Sequence, residues 1–460
     1  MKKILLWLLV LTMCISMVAS FSLVGCKEKA APAEEEAVEA AEEEVAPTEE
    51  AAVGEPKTIV YWSLWNEQEP FATVVNKWIE DYKKVKPEIT IEVVYVGREV
   101  MTKIMTARSG GETIDLVDTE SYVLKGSLIK EGISLVMDEA LDAPDYKGDN
   151  PWRDSFLAGT LEQYAADDGK VSVISYNLIT NGFMYDKKLW RDNGWTVPET
   201  WDELLALCET IKTTSDISPI TQDAGVDLYN DMWNYQIMEK LVGPGAILAA
   251  AGDETGMSWE DPAFKEAIEM ERVLWDKGYI VEGAAGFTWP AGQLLLTTGE
   301  AAMELCGSWL PNELKTQVSD DFEWGTFPFP EIAGGVGKIT DMESYLIGWA
   351  AFNDTKVGPE IVDFLKFCTT PENQQMLVDE SWNMSTILGT NIPPAIQGLG
   401  EALLDSETLF SPHDGLPEAY PDYYKNVYLK NHHIAFIGDI TPDEYIEVMK
   451  KETIEYWENQ

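Results

Sequence analysis

The residue types in this chain best suited to recognising a solute are tryptophan and the carboxylates, with 17 Trp and 80 Asp plus Glu. An indole ring covers the C–H face of a pyranose, while carboxylates and amides pair with its hydroxyl rim. A buried hydroxyl left unpaired costs about 1–3 kcal/mol, so rings and polar partners must come together. Trp62, Trp65, Trp233, Trp289, Trp309 and Trp382 stand near strand ends or irregular stretches and are the candidate platforms. Trp78, Trp201, Trp275 and Trp457 fall in helical patterns and Trp349 in an apolar run, which assigns them to core packing. Among the acids, Glu67 follows the first predicted strand and Asp118 and Glu120 follow the third. Asp341, Glu343 and Tyr345 precede the apolar run that begins at Leu346. In so acidic a chain, any single carboxylate is more often a solvated surface group.

Other chemistries find less support. There is no Gly-rich phosphate loop, no GxSxG and no HExxH. The three histidines are His413, His432 and His433, and adjacent residues point to different faces, so the pair makes a poor metal site. Cys208, Cys306 and Cys368 are far apart and form no CxxC pattern; Cys208 reads as a buried small hydrophobe. No metal or cofactor is expected. A formal net charge of −47 repels nucleic acid and anionic lipid. Acidic, aromatic loops favour a neutral or cationic solute over an anion. A glycosidase would need two carboxyls about 5–10 Å apart. Sequence spacing does not measure that distance, so a carbohydrate-active enzyme stays open beside a binding protein.

The N-terminus has a different task. Lys2 and Lys3 precede an apolar run from Ile4 to Val18, then small residues and Leu23-Val24-Gly25-Cys26. This is the pattern of an export signal over residues 1–25. Leu-Val-Gly-Cys resembles a bacterial lipobox, which implies cleavage before Cys26 and lipidation of its thiol. Residues 26–56 form a tether of Ala, Glu, Pro and Val, with eleven Glu against Lys27 and Lys29. Like-charge repulsion keeps it extended, about 100 Å fully stretched and roughly 30 Å as a coil. The protein is thus expected to be exported and lipid-anchored, at the outer face of the cell membrane or in the periplasm.

The body from Lys57 onward, about 400 residues, exceeds one ordinary hydrophobic core and suggests two lobes. Thr58-Ile59-Val60-Tyr61-Trp62 predicts a strand, Pro70 to Lys84 a helix, Ile89 to Val96 a strand, Val100 to Ser109 a helix, and Ile114 to Asp118 a third strand. Such alternation calls for a parallel sheet with crossover helices. Thr200-Trp201-Asp202-Glu203 and Thr441-Pro442-Asp443-Glu444 are capping boxes that open helices, and Thr370-Pro371 opens another. Ala301, Ala302 and Met303 read as helix before Gly307-Ser308-Trp309.

With these elements placed, the body resembles family 1 extracellular solute-binding proteins, the maltose-binding-protein-like receptors of ABC importers. Thr58 to Trp65 is similar to the family's first strand and ligand loop, and Gly169 to Leu189 to the stretch through its first interlobe crossing. Pro198-Glu199-Thr200-Trp201-Asp202-Glu203-Leu204 resembles "P-x-T-W-D-E-L". Gly299-Glu300-Ala301-Ala302-Met303 with Gly307-Ser308-Trp309 resembles "G-K-A-A-M…G-S-W". Phe364 to Phe367 with Thr370 to Gln374 resembles the helix pair after the last crossing. One departure is Ile174-Ser175-Tyr176-Asn177, where the family often carries Pro before Tyr.

The resemblance implies an α/β, two-lobed periplasmic-binding-protein fold of type II, each lobe a mostly parallel sheet flanked by helices. It places residues 57–177 and 330–390 in the N-terminal lobe and 178–329 and 391–460 in the C-terminal lobe. Crossings fall near Tyr176 to Gly182, Trp324 to Pro330 and Leu388 to Pro394, with ligand in the cleft between lobes. Tyr176, Asn177 and Asn181 flank the first crossing and join the candidate site, and family position favours Trp309 as a ring platform. The implied partners are a sugar or oligosaccharide and the transmembrane subunits of an ABC permease, with the protein a monomer. A polyol, glycerol phosphate or peptide is the alternative solute.

Overall fold

The computed structural model describes residues 55–460. The export signal, Cys26 and nearly all of the tether lie outside the described residues. The first strand, β1 (Lys57–Ser63), buries Ile59, Tyr61 and Ser63. Helix α1 (Pro70–Val85) opens on Pro, where no hydrogen bond is lost, and buries Phe71, Val74, Val75, Trp78 and Tyr82. Then come β2 (Ile89–Tyr95), α2 (Val100–Ser109), β3 (Leu116–Glu120) and the short α3 (Ser121–Leu124). β1 pairs in parallel with both β2 and β3, as crossover helices require.

β4 (Ile174–Ile179) belongs to this first sheet, and after the single residue Thr180 the chain enters a second sheet as β5 (Asn181–Asp186). α4 (Trp201–Thr214) starts at the capping box of Thr200 and Glu203 and buries Leu204, Cys208 and Ile211; burial pushes the Cys208 thiol well up. β6 (Ser218–Ile220), α5 (Asp227–Val242), α6 (Ala291–Thr297), β7 (Ala301–Gly307), α7 (Leu310–Glu313) and β8 (Trp324–Phe327) continue the second lobe. β7 corrects the helix expected over Ala301 to Met303. Every residue of it is buried, so no alternation marks the strand in sequence.

The chain passes through β9 (Asp341–Glu343), a strand of a separate two-stranded sheet, and rejoins the first sheet at β10 (Tyr345–Ala351), later adding α8 (Pro371–Ser381) and β11 (Met384–Ser385). It then returns to the second lobe with α9 (Gln397–Leu404), whose Leu399 N–H donates to Thr326 Oγ1 of β8 at 3.0 Å. β12 (Thr408–Phe410) pairs in parallel with β9, and α10 (Pro442–Glu458) closes the chain behind the Thr441 capping box. Trp324 to Phe327 therefore lies inside the second sheet, and the return crossing comes after it, ending at Tyr345.

Strand order is β11-β4-β10-β3-β1-β2 in the first sheet and β6-β7-β5-β8 in the second. Both are more mixed than the sequence suggests. β10 is antiparallel to β3 and β4, and β5 is antiparallel to β7 and β8. Within these two sheets the parallel pairs are β1 with β2, β1 with β3 and β6 with β7, each joined through helices of its own lobe; β5 and β10, which follow passages between the lobes, run antiparallel to their neighbours.

Each sheet has its own core. In the first, Trp349 stacks on Tyr176 with centroids 4.0 Å apart, and Trp78 meets both edge-on. In the second, Phe183 stacks on Phe327 at 4.8 Å and meets Trp233 edge-on. A further cluster, including Leu178, Met184, Leu346 and Leu399, joins them at the crossings.

Candidate functional site

The Gly307-Ser308-Trp309 segment builds the junction. Ser308 N–H donates to the Thr180 carbonyl at 2.8 Å, and Thr180 N–H donates back to Ser308 Oγ at 3.4 Å. The segment thus clasps the residue at which the chain changes lobes. A Cβ on Gly307 would lie 1.9 Å from Trp309 Cζ3, so only glycine lets the indole fold back over its own strand. Trp309, half-buried, reaches all of the apolar clusters and meets Tyr345 edge-on with centroids 6.1 Å apart.

Beside this wall lies a polar floor. Glu343 Oε2 accepts from Tyr235 OH at 2.5 Å and from Asn181 Nδ2 at 2.6 Å. Glu343 comes from the return crossing, Asn181 from the first and Tyr235 from α5, so the floor binds the lobes to one another. Asn181 Oδ1, Glu343 Oε1, Thr180 Oγ1 and both amide atoms of Asn177 are buried without a protein partner. An unpaired buried polar group costs about 1–3 kcal/mol, so it survives where function uses it. Burial pushes the Glu343 carboxyl up to about 7.

Tyr345 draws in groups from the first lobe. Its phenol is held up by burial first, then by Glu120, with Arg98 opposing. Trp62, Glu120, Tyr345, Trp309 and Trp382 are half-buried, and Glu67 and Trp289 are exposed, Trp289 by 54%. Trp382 ends α8 at φ +55°, with Lys315 Nζ 4.5 Å from its ring centroid.

Four expected contact residues face inward. Trp65 Nε1 donates to Tyr176 OH at 2.8 Å, and Tyr176 OH donates to Asp118 Oδ2 at 2.5 Å. Asp118 Oδ1 also takes the Leu64 N–H at 3.3 Å, and burial pushes its carboxyl up to about 6. Trp65 stacks on Phe71 at 3.8 Å with Arg98 5.0 Å from its ring centroid, which leaves no free face for a sugar. Trp65, Tyr176 and Asp118 thus brace the loop after β1 rather than line a cleft. Trp233 is the fourth: it is fully buried in α5, with Nε1 bonded to Gln222 Oε1 at 3.2 Å. Asp341 holds its own loop instead, through Lys338 N–H at 2.7 Å and, at its carbonyl, Lys240 Nζ at 2.7 Å.

Sequence reasoning missed Tyr235, Arg98, the buried acid Glu304 and Tyr122, whose phenol acts on Tyr345 beside Glu120. Tyr122 follows Glu120 by two residues, so the logic that picked the end of the third strand would have reached it. Nothing local marks Tyr235 or Glu304, whose surroundings come from distant segments.

The raised carboxyls set a pH dependence. Burial also pushes Glu239 up to about 7, against the pull of Lys240. Asp118, Glu239 and Glu343 bind protons more tightly folded than unfolded. Their stabilising contribution is full below about pH 4 and is lost as pH rises through about 6 to 7. A tenfold change in acidity is about 1.4 kcal/mol, so the ligand-free protein should lose several kcal/mol between pH 5 and 8. Denaturant melts at the two pH values check this; a higher midpoint at pH 8 would mean that these groups are ionised and paired in the fold.

The comparisons agree with this geometry. The family described as bacterial extracellular solute-binding protein matches residues 65–375. A diacetylchitobiose binding protein of Streptomyces coelicolor is 26% identical over 220 residues, 48% of this chain and 46% of the relative. A multiple sugar-binding protein of Streptococcus mutans is 28% identical over 228 residues, 48% of this chain and 53% of the relative. The chain thus spans about half the length of the curated relatives it matches. In structure, apo RafE of Streptococcus pneumoniae superposes with a TM-score of 0.72 at 20% identity, over 87% of this chain and 98% of that one. A chitin oligosaccharide binding protein gives 0.71 at 22% identity, over 87% and 99%. These likenesses establish the two-lobed fold, and with more than half of its length matched, the chain belongs to the bacterial extracellular solute-binding protein family.

Proposed function

We propose that this protein is the sugar-capturing receptor of an ABC importer. It takes a sugar or oligosaccharide between its lobes and delivers it, as a monomer, to the transmembrane permease. The observation that carries the reading is the junction itself. Half-buried rings (Trp309 and Tyr345) stand beside a floor of unpartnered polar atoms from both crossings (Thr180, Asn181 and Glu343), with Trp62 a further half-buried ring of the first lobe. Rings for the apolar face and amide, hydroxyl and carboxyl groups for the rim are what a pyranose requires. Asn177, Glu67, Glu120, Trp289 and Trp382 stand as outlying contacts. Relatives named for binding sugars agree with it.

Ligand capture by hinge closure would then shift the population toward the closed form. A thermal-shift screen of the protein against a carbohydrate library tests the reading. A ligand at about 100 times its Kd adds about 2.7 kcal/mol of apparent stability. Stabilisation by glycerol phosphate or peptides, and by no carbohydrate, would overturn it.

The location follows from the N-terminus. Export and a lipid on Cys26 would hold the receptor at the membrane through its acidic tether; among the described residues no helix is long and apolar enough to cross a membrane. Cys26→Ser should move the protein from the membrane fraction to the soluble fraction or stall its processing. Wild-type protein with an unacylated N-terminus elsewhere than Cys26 would contradict the anchor.

A further inference from the structure

The second lobe holds a buried polar group that the junction does not use. Glu304 stands in β7, fully buried, with neither carboxylate oxygen partnered. Around it converge the β6–α5 connection and the start of α6. Asp223 spends Oδ1 on the Gly292 N–H at 2.5 Å and leaves Oδ2 unpartnered. Gln222 spends Oε1 on Trp233 and leaves Nε2 unpartnered. Gln293 directs Nε2 at Cys306 Sγ, 3.8 Å away, and leaves Oε1 unpartnered. All of these side chains are fully buried.

The inventory is lopsided. With the Glu304 carboxyl protonated, Asp223 Oδ2, Gln293 Oε1 and one Glu304 oxygen are acceptors, against two donors, Gln222 Nε2 and the Glu304 hydroxyl. The charges acting on Glu304 are those of Asp223 and Glu313, both negative. Burial, and then those two charges, hold the Glu304 carboxyl well above the usual carboxylate range. The guanidinium felt at Glu313 is that of Arg98, which is already bonded to Glu69 and to the Leu64 carbonyl at 2.9 Å each. Among the described residues no group of three or more acids, histidines or cysteines is placed to hold a metal ion. An acceptor excess spread over several side chains calls for a larger, donor-rich guest. A primary ammonium offers three donors and no acceptor. At the approach, Trp289 Nε1 donates to Glu313 Oε2 at 3.2 Å while its ring stays largely uncovered. That exposed ring can cover a sugar face next to the amine.

We propose that Gln222, Asp223, Gln293 and Glu304, with Glu313 at the entrance, form a subsite for a protonated primary amine carried by the ligand, which makes amino sugars the preferred class. This rests on the sugar-receptor reading and narrows it. As the ammonium enters, Glu304 gives up its proton to solvent and becomes the counter-charge, so one proton is released for each amine bound. Asp223, Glu313, Tyr229 and Cys306 are the other titratable groups around it, and Arg98 is the cation that acts on Glu313.

The test is calorimetric titration near neutral pH with a glucosamine disaccharide, its N-acetylated form and the matching glucose disaccharide, each in two buffers of different ionisation enthalpy. The amine should bind about tenfold tighter or better than either neutral sugar and release up to one proton, with none from the neutral sugars. Glu304→Gln should abolish both the preference and the proton release. Proton release needs only wild-type protein, so the test survives a variant that folds poorly. Equal affinity of amine and neutral sugars, absence of proton release, or binding of no amine at all would overturn the subsite. In the first two cases the sugar receptor would stand. Binding of a diamine without any sugar would keep the subsite and sink the sugar reading.

Discussion

Replacing Trp309 with alanine should weaken sugar binding by about 30- to 1000-fold, on the order of 2–4 kcal/mol. The ring is half-buried, stands against every apolar cluster of the body, and is held over Gly307 where no other residue type would leave room. Removing it deletes contact area and the shape of the wall beside Glu343 and Asn181. Stability without ligand should fall less, because part of the ring is still in water. Calorimetric titration beside denaturant melts separates the two effects. A variant that binds sugar normally but unfolds easily would make Trp309 a packing residue and dismantle the site.

Trp78→Ala should do the opposite, costing about 3–5 kcal/mol of folding stability. Trp78 is 1% exposed, meets Trp349 with centroids 5.9 Å apart, and donates its Nε1 to the Asn373 carbonyl at 3.1 Å. Truncation leaves a cavity between α1 and the sheet and removes the bond that ties α1 to α8 at that carbonyl. Ligand added in excess should restore stability by mass action, since the binding groups stand elsewhere. The midpoint in urea measures the loss; a shift worth less than about 1 kcal/mol would mean that the core collapses around the gap.

What could be read in the sequence was local. The capping boxes at Thr200 and Thr441 placed two helix starts correctly, because the signal and the bond it makes lie within four residues. The stripe of α1 and the alternation through β3 were legible for the same reason, as periods within one segment. The core roles of Trp78 and Trp349 followed from those patterns.

Failures came where burial is two-sided or pairing is distant. α5 buries Asn230 through Lys240 without a break, polar residues included, so it has no apolar stripe and Trp233 looked like a loop residue. β7 is buried on both faces, so nothing in Ala301 to Met303 distinguished strand from helix. Trp65, Asp118 and Tyr176 satisfy one another across separations of 58 and 111 residues, which no local pattern encodes. At the junction the outcome was different. Asn181, Glu343, Tyr345 and Trp309 were named from family position and strand ends, and the fold brings them to one place. Glu304 was passed over because one acid among 80 carries no signal until its burial is known.

The most direct test of the receptor account is a titration of wild-type protein with oligosaccharides, followed by analysis of the recovered sugar. The account predicts saturable binding of one ligand per chain, binding weakened about 30- to 1000-fold in Trp309→Ala, and sugar recovered intact after long incubation. Shortened sugar in the recovered fraction, or no binding by any carbohydrate, would contradict it.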